Sequence, residues 1–284
     1  MSVSLLGLVL LAAVCHAAWN LATRQLQGDL VVLWLGGAVA AVFITPFALL
    51  RWSVGIDPWA TTPAAFTCIG LTALIHAIYF VLLGRAYGQG EISVVYPIAR
   101  GSGIGLTAIL AHFLLCESIS STGAIGITAI CFGIALVAVP VWLKKRPHGI
   151  GLALGVGITI PLYSIVDKVG THLVPPVIYI WAMFLGTSLL LAPWVMRRGV
   201  LQILSIWRQW WRHICGIGIG AMLTYLLILY AFSMGPISYI VAARESSIIV
   251  GAAAGVLLLG EQWNRWKLAG VSAITVGLVC LRLA

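Results

Sequence analysis

Arg244 and Glu245 stand side by side in "ISYIVAARESSIIVGAAAGVLLLGE", residues 237–261, a stretch that is otherwise apolar almost from end to end. A third charge, Arg100, lies in comparable surroundings in "VVYPIARGSG". Guanidinium groups in an apolar setting recognise carboxylates through forked hydrogen bonds, and a carboxylate there binds a cation or a proton. An ionisable side chain at bilayer depth costs on the order of 3 kcal/mol and is tolerated mainly where it meets protein or water. Neighbours on a helix project about 100° apart, so Arg244 and Glu245 are poorly placed to satisfy each other and each needs another partner or a wet cavity.

Further polar groups fall inside apolar runs: His16, Trp19 and Asn20; His76 and Tyr79; Tyr96 and Ser102; Tyr163 and Ser164; Thr224 and Tyr225; Tyr239, Ser246 and Ser247. A cavity walled by phenols and hydroxyls suits a partly apolar, zwitterionic ligand, although any one tyrosine could equally be core packing. His16 and His76 could carry protons or be satisfied packing residues. Arg100 and Arg244 could instead snorkel to helix ends, and Glu245 could be a structural partner of an arginine on another helix or a proton-coupling carboxylate. Glu117 and Glu261 close their apolar runs and suit caps or gates better than substrate ligands. Asp167 is assigned to a helix end beside Lys168, a poor place for chemistry.

The elements that must position these groups are membrane helices. The chain has 284 residues, of which 62% are apolar and only 8% charged, far from the quarter charged that is usual in soluble domains. A ruler of roughly 20 apolar residues gives ten spans, at 3–23, 30–50, 62–83, 92–115, 121–142, 149–167, 174–196, 213–234, 237–259 and 267–283. The fold class is therefore all-α, with the longest loop around "RRGVLQILSIWRQWWRH" and no room for a soluble domain. Sixteen Lys and Arg give a net charge of +9, but they are scattered between apolar blocks and form no basic face for nucleic acid. The first span lacks a basic start and reads as a mature helix, not a cleaved leader. Six cysteines without CxxC spacing read as small hydrophobes; no metal site or cofactor is implied.

Orientation follows from the basic residues. Eleven lie in loops after odd-numbered helices, Lys144, Lys145 and Arg146 among them, against three on the opposite side, Arg51, Lys168 and Arg282. This puts the odd loops in the cytoplasm and both termini outside, in a bacterial inner membrane. Most tryptophans, such as Trp52, Trp142, Trp194 and Trp211, sit at helix ends as an interfacial belt.

An internal repeat organises the chain. "GRAYGQGEISVVYPIARGSGIGLTAILAHFLLCE" lies over "LYAFSMGPISYIVAARESSIIVGAAAGVLLLGE" with a one-residue gap, setting Arg100 on Arg244 and Glu117 on Glu261, 144 residues apart. The same offset sets Gly7 on Gly151, Trp19 on Tyr163 and Arg24 on Lys168. Residues 1–144 and 145–284 are thus two five-helix copies, and the odd helix number inverts the second. Inverted repeats recur in secondary transporters. Inversion places Arg100 toward the cytoplasmic side and Arg244 toward the outer side, offering a substrate carboxylate contacts at two depths. Pro97 cannot donate to the Ser93 carbonyl, and with Gly101, Gly103 and Gly105 it predicts a bend at mid-depth whose freed carbonyls could meet an ammonium group. The same glycines could simply allow close packing.

The five-plus-five repeat, the opening "HAAWNLATR", the helix endings "LLCE" and "LLGE", and the closing "LLLGEQWNRWKLAGVSAITVGLVCLRL" resemble the drug/metabolite transporter superfamily in its EamA-type branch, over the whole chain. Length and outside termini are similar to the YddG-like amino-acid exporters. The resemblance implies a basket in which the third, fourth, eighth and ninth helices, helped by the first and sixth, surround a substrate cavity, with the fifth and tenth peripheral. It implies export of amino acids, aromatic or other apolar ones included, or similar small metabolites by alternating access, with proton coupling left open. Site residues are then Arg244, Glu245, Arg100, Tyr96, His76, Tyr79, Ser247, Tyr225, Tyr239, Tyr163, Asn20 and Trp19, with Pro97, Gly101 and Gly103 at the bend. A channel or a lipid carrier of the same fold is the alternative. An intramembrane enzyme is disfavoured because no HExxH, GxSG-type serine or dense carboxylate cluster is present. The residues do not define an oligomeric state.

Overall fold

The structure, a computed structural model, describes residues 1–24, 26, 29–55, 58–89, 92–142, 149–259 and 262–284. Lys144, Lys145, Arg146 and Glu261 lie outside the described residues. The elements in order are α1 (Val3–Arg24), α2 (Leu30–Ser53), a 3₁₀ turn (Pro58–Thr61), α3 (Pro63–Gln89), α4 (Ile92–Leu114), α5 (Ser121–Trp142), α6 (Ile150–Leu173), α7 (Pro176–Met196), α8 (Val200–Met234), α9 (Ile237–Arg244), α10 (Ser247–Leu259) and α11 (Arg265–Leu283). All are helical because backbone polar groups in hydrocarbon must be satisfied within their own segment. Among the described residues, nine spans are long and apolar enough to cross a membrane, α9 and α10 sharing one of them. Counting α9 and α10 as one and adding α4, which carries Arg100, the chain has ten long helical elements.

Three boundaries differ from the expected ones. The eighth helix begins at Val200, not near residue 213, because "VLQILSIWRQWW" carries good helix formers and no breaker after Gly199. The sixth runs on to Leu173, so Asp167 lies inside the helix and not at its end. The ninth span is broken. At Glu245 and Ser246 the ladder tightens to i→i+3 bonds, Glu245 N donating to Ala242 O at 3.1 Å and Ile248 N to Glu245 O at 2.9 Å. Two serines, which bond locally and favour non-helical turns, follow the charged pair there. By contrast α4 runs as one helix through Pro97, so the interruption expected in the fourth helix falls in its repeat counterpart.

Helix packing follows the repeat. α3 packs on α6 as α8 packs on α1; α2 packs on α8 as α7 packs on α3; α2 meets α7, and α5 meets α11. The last crossing is the clearest case. A Cβ on Gly126 would lie 2.9 Å from Gly277 O, and one on Gly133 would lie 2.6 Å from Gly270 O. Gly126 and Gly270 are 144 positions apart, as are Gly133 and Gly277, so each helix offers the other the same two glycines. α5 and α11 stand outside the basket and contribute no cavity residue.

Candidate functional site

The helices enclose a cavity of about 1150 Å³ including its open mouth. Its wall takes His16, Trp19 and Asn20 from α1, His76 to Tyr87 on one face of α3, Tyr96 and Arg100 from α4, Tyr163 from α6, Thr224 and Tyr225 from α8, and Arg244 from α9. Beyond the six helices expected, α2 supplies Leu33, Gly36 and Gly37, and α7 supplies Met183 and Phe184. In α1, α2, α3, α4 and α6 these positions lie toward the end nearest the loops that follow odd-numbered crossings, whereas in α8 they run from its middle at Ile217 to Tyr225 and in α9 the contributor is Arg244.

The opposite end is closed. Glu117, just beyond α4, accepts from Ile237 N at 2.7 Å, Ser238 N at 3.2 Å and Ser238 Oγ at 2.8 Å, capping the N-terminus of α9. Beside it Ser120 N donates to the Tyr239 hydroxyl at 3.0 Å, and Lys168 Nζ donates to the carbonyls of Phe232 and Gly235. The same closing end receives the N-terminal amine, which donates to Leu281 O at 3.2 Å.

At mid-depth the three anticipated charges meet. Arg100 Nη1 donates to Glu245 Oε1 at 3.3 Å, and Arg244 Nη2 lies 3.7 Å from the same oxygen. Glu245 is fully buried, and the arginines are 7% and 4% exposed. Arg100 Nη2 also donates to His16 Nε2 at 2.9 Å, so the His16 proton sits on Nδ1. The Tyr96 ring lies under the Arg100 guanidinium, 5.2 Å from centroid to Cζ. Two cations share one anion, leaving an excess positive charge beside the cavity. Arg244 Nε has no hydrogen-bond partner among the described residues, and Tyr163 faces this guanidinium.

The two guanidinium ends therefore meet on one carboxylate instead of offering contacts at separate depths. Arg100 is eight residues into α4 and Arg244 seven into α9, about 12 and 10 Å along the axis at 1.5 Å per residue. The helices start from opposite faces, and a core about 30 Å thick leaves a gap that two long side chains close.

Next to the charges is an aromatic floor. His76 stacks on Tyr163 at 4.5 Å and meets Tyr225 edge-on at 5.4 Å; Tyr79 and Tyr225 each lie 6.0 Å from Tyr163. His76 Nδ1 lies 2.9 Å from Thr72 O, an acceptor only, which fixes the proton on that nitrogen. Asn20 Nδ2 donates to His16 O at 2.8 Å, leaving its amide oxygen for another donor.

Of the residues singled out from sequence, Arg244, Arg100, Tyr96, His76, Tyr79, Tyr225, Tyr163, Asn20 and Trp19 line this one cavity, and Glu245 lies directly behind it. Tyr239 does not. It stands two residues into α9, at the sealed end, where its ring fills the space a Gly123 side chain would need. Ser247 is buried at the start of α10 and is not part of the wall. Gly103 packs against Ile160, 2.6 Å from where its Cβ would be, whereas Gly101 has open space around it. Asp167, set aside as a helix-end residue, is fully buried and accepts from Tyr179 at 2.8 Å and from Tyr225. Tyr87, Phe80 and Leu83 were also missed; they continue the α3 stripe of His76 and Tyr79 at helical spacing.

Comparisons with known proteins agree with this architecture. A crystal structure described only as "Crystal structure of protein" superimposes with a TM-score of 0.74 over 100% of this chain and 98% of its own, at 15% identity, a likeness of fold. "Uncharacterized protein y4nH" of Sinorhizobium fredii (strain NBRC 101917 / NGR234) is 29% identical over 93 residues, 32% of this chain and 80% of that protein. The model of the EamA-like transporter family matches residues 147–283, from the start of α6 to the end of α11. Residues 147–283 are thus similar to the EamA-like transporter family, and the chain is a multi-pass membrane protein.

Proposed function

We propose that the protein exports amino acids, aromatic or other apolar ones among them, or similar small carboxylate-bearing metabolites across the inner membrane by alternating access. The observation that carries this reading is the pair Arg244 and Arg100 sharing the single carboxylate of Glu245 at the edge of an aromatic cavity. The excess cation suits a substrate carboxylate, with Arg244 Nε as the available donor. The Asn20 amide oxygen and the hydroxyl lone pairs of the floor suit an ammonium group. Tyr79, Tyr163, Tyr225 and His76 would wall an apolar or aromatic side chain by edge-to-face contact.

Alternating access is supported by the paired packing of the two halves and by the Glu117, Tyr239 and Lys168 contacts that tie the helices together at one end of the bundle. With odd loops cytoplasmic and both termini outside, this state loads from the cytoplasm, and the Glu117 contacts are the outer seal. Residues 1–144 and 145–284 are the units that would exchange conformations.

The test is counterflow in proteoliposomes. Vesicles preloaded with an unlabelled amino acid should take up the labelled one transiently and saturably. Ohmic current without counterflow would make the cavity a channel vestibule and end the carrier reading.

A further inference from the structure

The cavity floor hides a carboxylate that the substrate reading does not use. Asp167 is fully buried in α6 and, among the described residues, makes no ion pair with Lys or Arg. Lys168 beside it is turned away to the carbonyls of Phe232 and Gly235. Two phenols hold it instead: Tyr179 from α7 donates to Oδ1 at 2.8 Å and Tyr225 from α8 donates to Oδ2. From α3, Cys68, Thr72 and His76 face the same carboxylate; Tyr163 on its own helix and Arg244 from α9 border the floor beyond them. Gly170 allows the arrangement, since a Cβ there would lie 2.3 Å from the Tyr179 ring.

We propose that Asp167 is a proton-binding site coupled to the substrate cavity through Tyr225, so that a proton and a substrate ammonium group exclude one another. Tyr225 lines the cavity and gives its hydroxyl proton to Asp167. With Asp167 ionised, that hydroxyl presents only lone pairs to the cavity and accepts from an ammonium. When a proton binds Oδ2, the acid becomes the donor, the Tyr225 hydroxyl accepts from it, and the phenolic hydrogen turns toward the cavity. The wall then repels the ammonium group. Asp167 lies past the middle of α6, between the floor and the closed end, where a proton from the outer side would arrive once that end opens. One proton is bound from one face and released to the other as one substrate crosses in the opposite direction.

This rests on the transporter reading, and the experiment separates the two. Vesicles containing the full-length protein are assayed with labelled L-phenylalanine, or with the first amino acid of a panel to show counterflow. The wild type should accumulate label in acid-inside vesicles and lose it when a protonophore collapses the gradient. Asp167→Asn should lose at least tenfold of the gradient-driven accumulation, and the counterflow it retains should no longer vary with pH, while Asp167→Glu retains part of the accumulation. Wild-type counterflow with no effect of the gradient overturns the coupling and leaves the carrier; absence of any counterflow overturns the carrier itself. Loss of counterflow in both variants marks a structural role and also overturns the proposal. Should Asp167→Asn fail to fold, proton release on adding substrate to wild type in weakly buffered detergent solution decides, and no release counts against it.

Discussion

Arg100 and Glu245, 145 positions apart and in different halves of the chain, meet side chain to side chain at 3.3 Å in the middle of the bundle. Glu245 carries both arginines, so Glu245→Ala strands two buried cations, whereas Arg100→Ala leaves Arg244 still facing the carboxylate. Removing one partner of a buried pair costs about 3–5 kcal/mol. Glu245→Ala should lower the unfolding temperature in detergent clearly more than Arg100→Ala does. Equal shifts would show that the two arginines do not share Glu245.

Arg244→Ala removes the guanidinium with a spare donor and leaves the Arg100–Glu245 bond intact. A charged hydrogen bond contributes about 1.5–3 kcal/mol, which corresponds to roughly 10- to 150-fold weaker substrate binding. Counterflow should show that loss in KM, with insertion intact and a thermal shift smaller than that of Glu245→Ala. Arg244→Lys keeps the charge without the fork and should fall between. Unchanged KM in Arg244→Ala would remove it from the site.

What the sequence revealed, and what it hid, has a common physical cause. Spans are legible because hydrocarbon tolerates few other patterns, so nine helices begin within a few residues of the expected positions. Arg100, Arg244 and Glu245 were each legible because they are expensive where they stand, but their meeting was not, since the repeat set the two arginines toward opposite faces. Asp167 escaped because the hydropathy ruler stops at a charge, although α6 runs six residues beyond it. Its partners Tyr179 and Tyr225 come from other helices, and no spacing in the chain relates them. The eighth helix was cut short for a similar reason: Arg208 and Arg212 read as loop, yet they lie in its basic, tryptophan-rich first turns. Tyr239 misled in the opposite sense, since a tyrosine near the start of a span is indistinguishable by type from one at its centre.

The crossing of α5 and α11 should tolerate no side chain. Gly133→Ala and Gly270→Ala each place a Cβ about where the other's carbonyl oxygen lies, at 2.6 Å. Overpacking of this kind costs about 1–3 kcal/mol, and neither helix touches the cavity. Both variants should unfold earlier in detergent while the folded fraction keeps wild-type KM. A changed KM would mean that this crossing moves during transport.

Glu117→Ala tests the closed end. The carboxylate satisfies two backbone donors and one hydroxyl at the first turn of α9, from the other half of the chain. Alanine leaves those donors without a partner, and water is the nearest substitute, which favours parting of α4 from α9 at this face. In a cysteine-free background carrying Ser238→Cys, a membrane-impermeant maleimide should label Cys slowly when Glu117 is present and several-fold faster in Glu117→Ala. Glu117→Gln keeps an acceptor and should restore most of the protection. Equal labelling in all three would show that closure of this end does not depend on the Glu117 cap, and that the weight falls on the Tyr239–Ser120 and Lys168 contacts beside it.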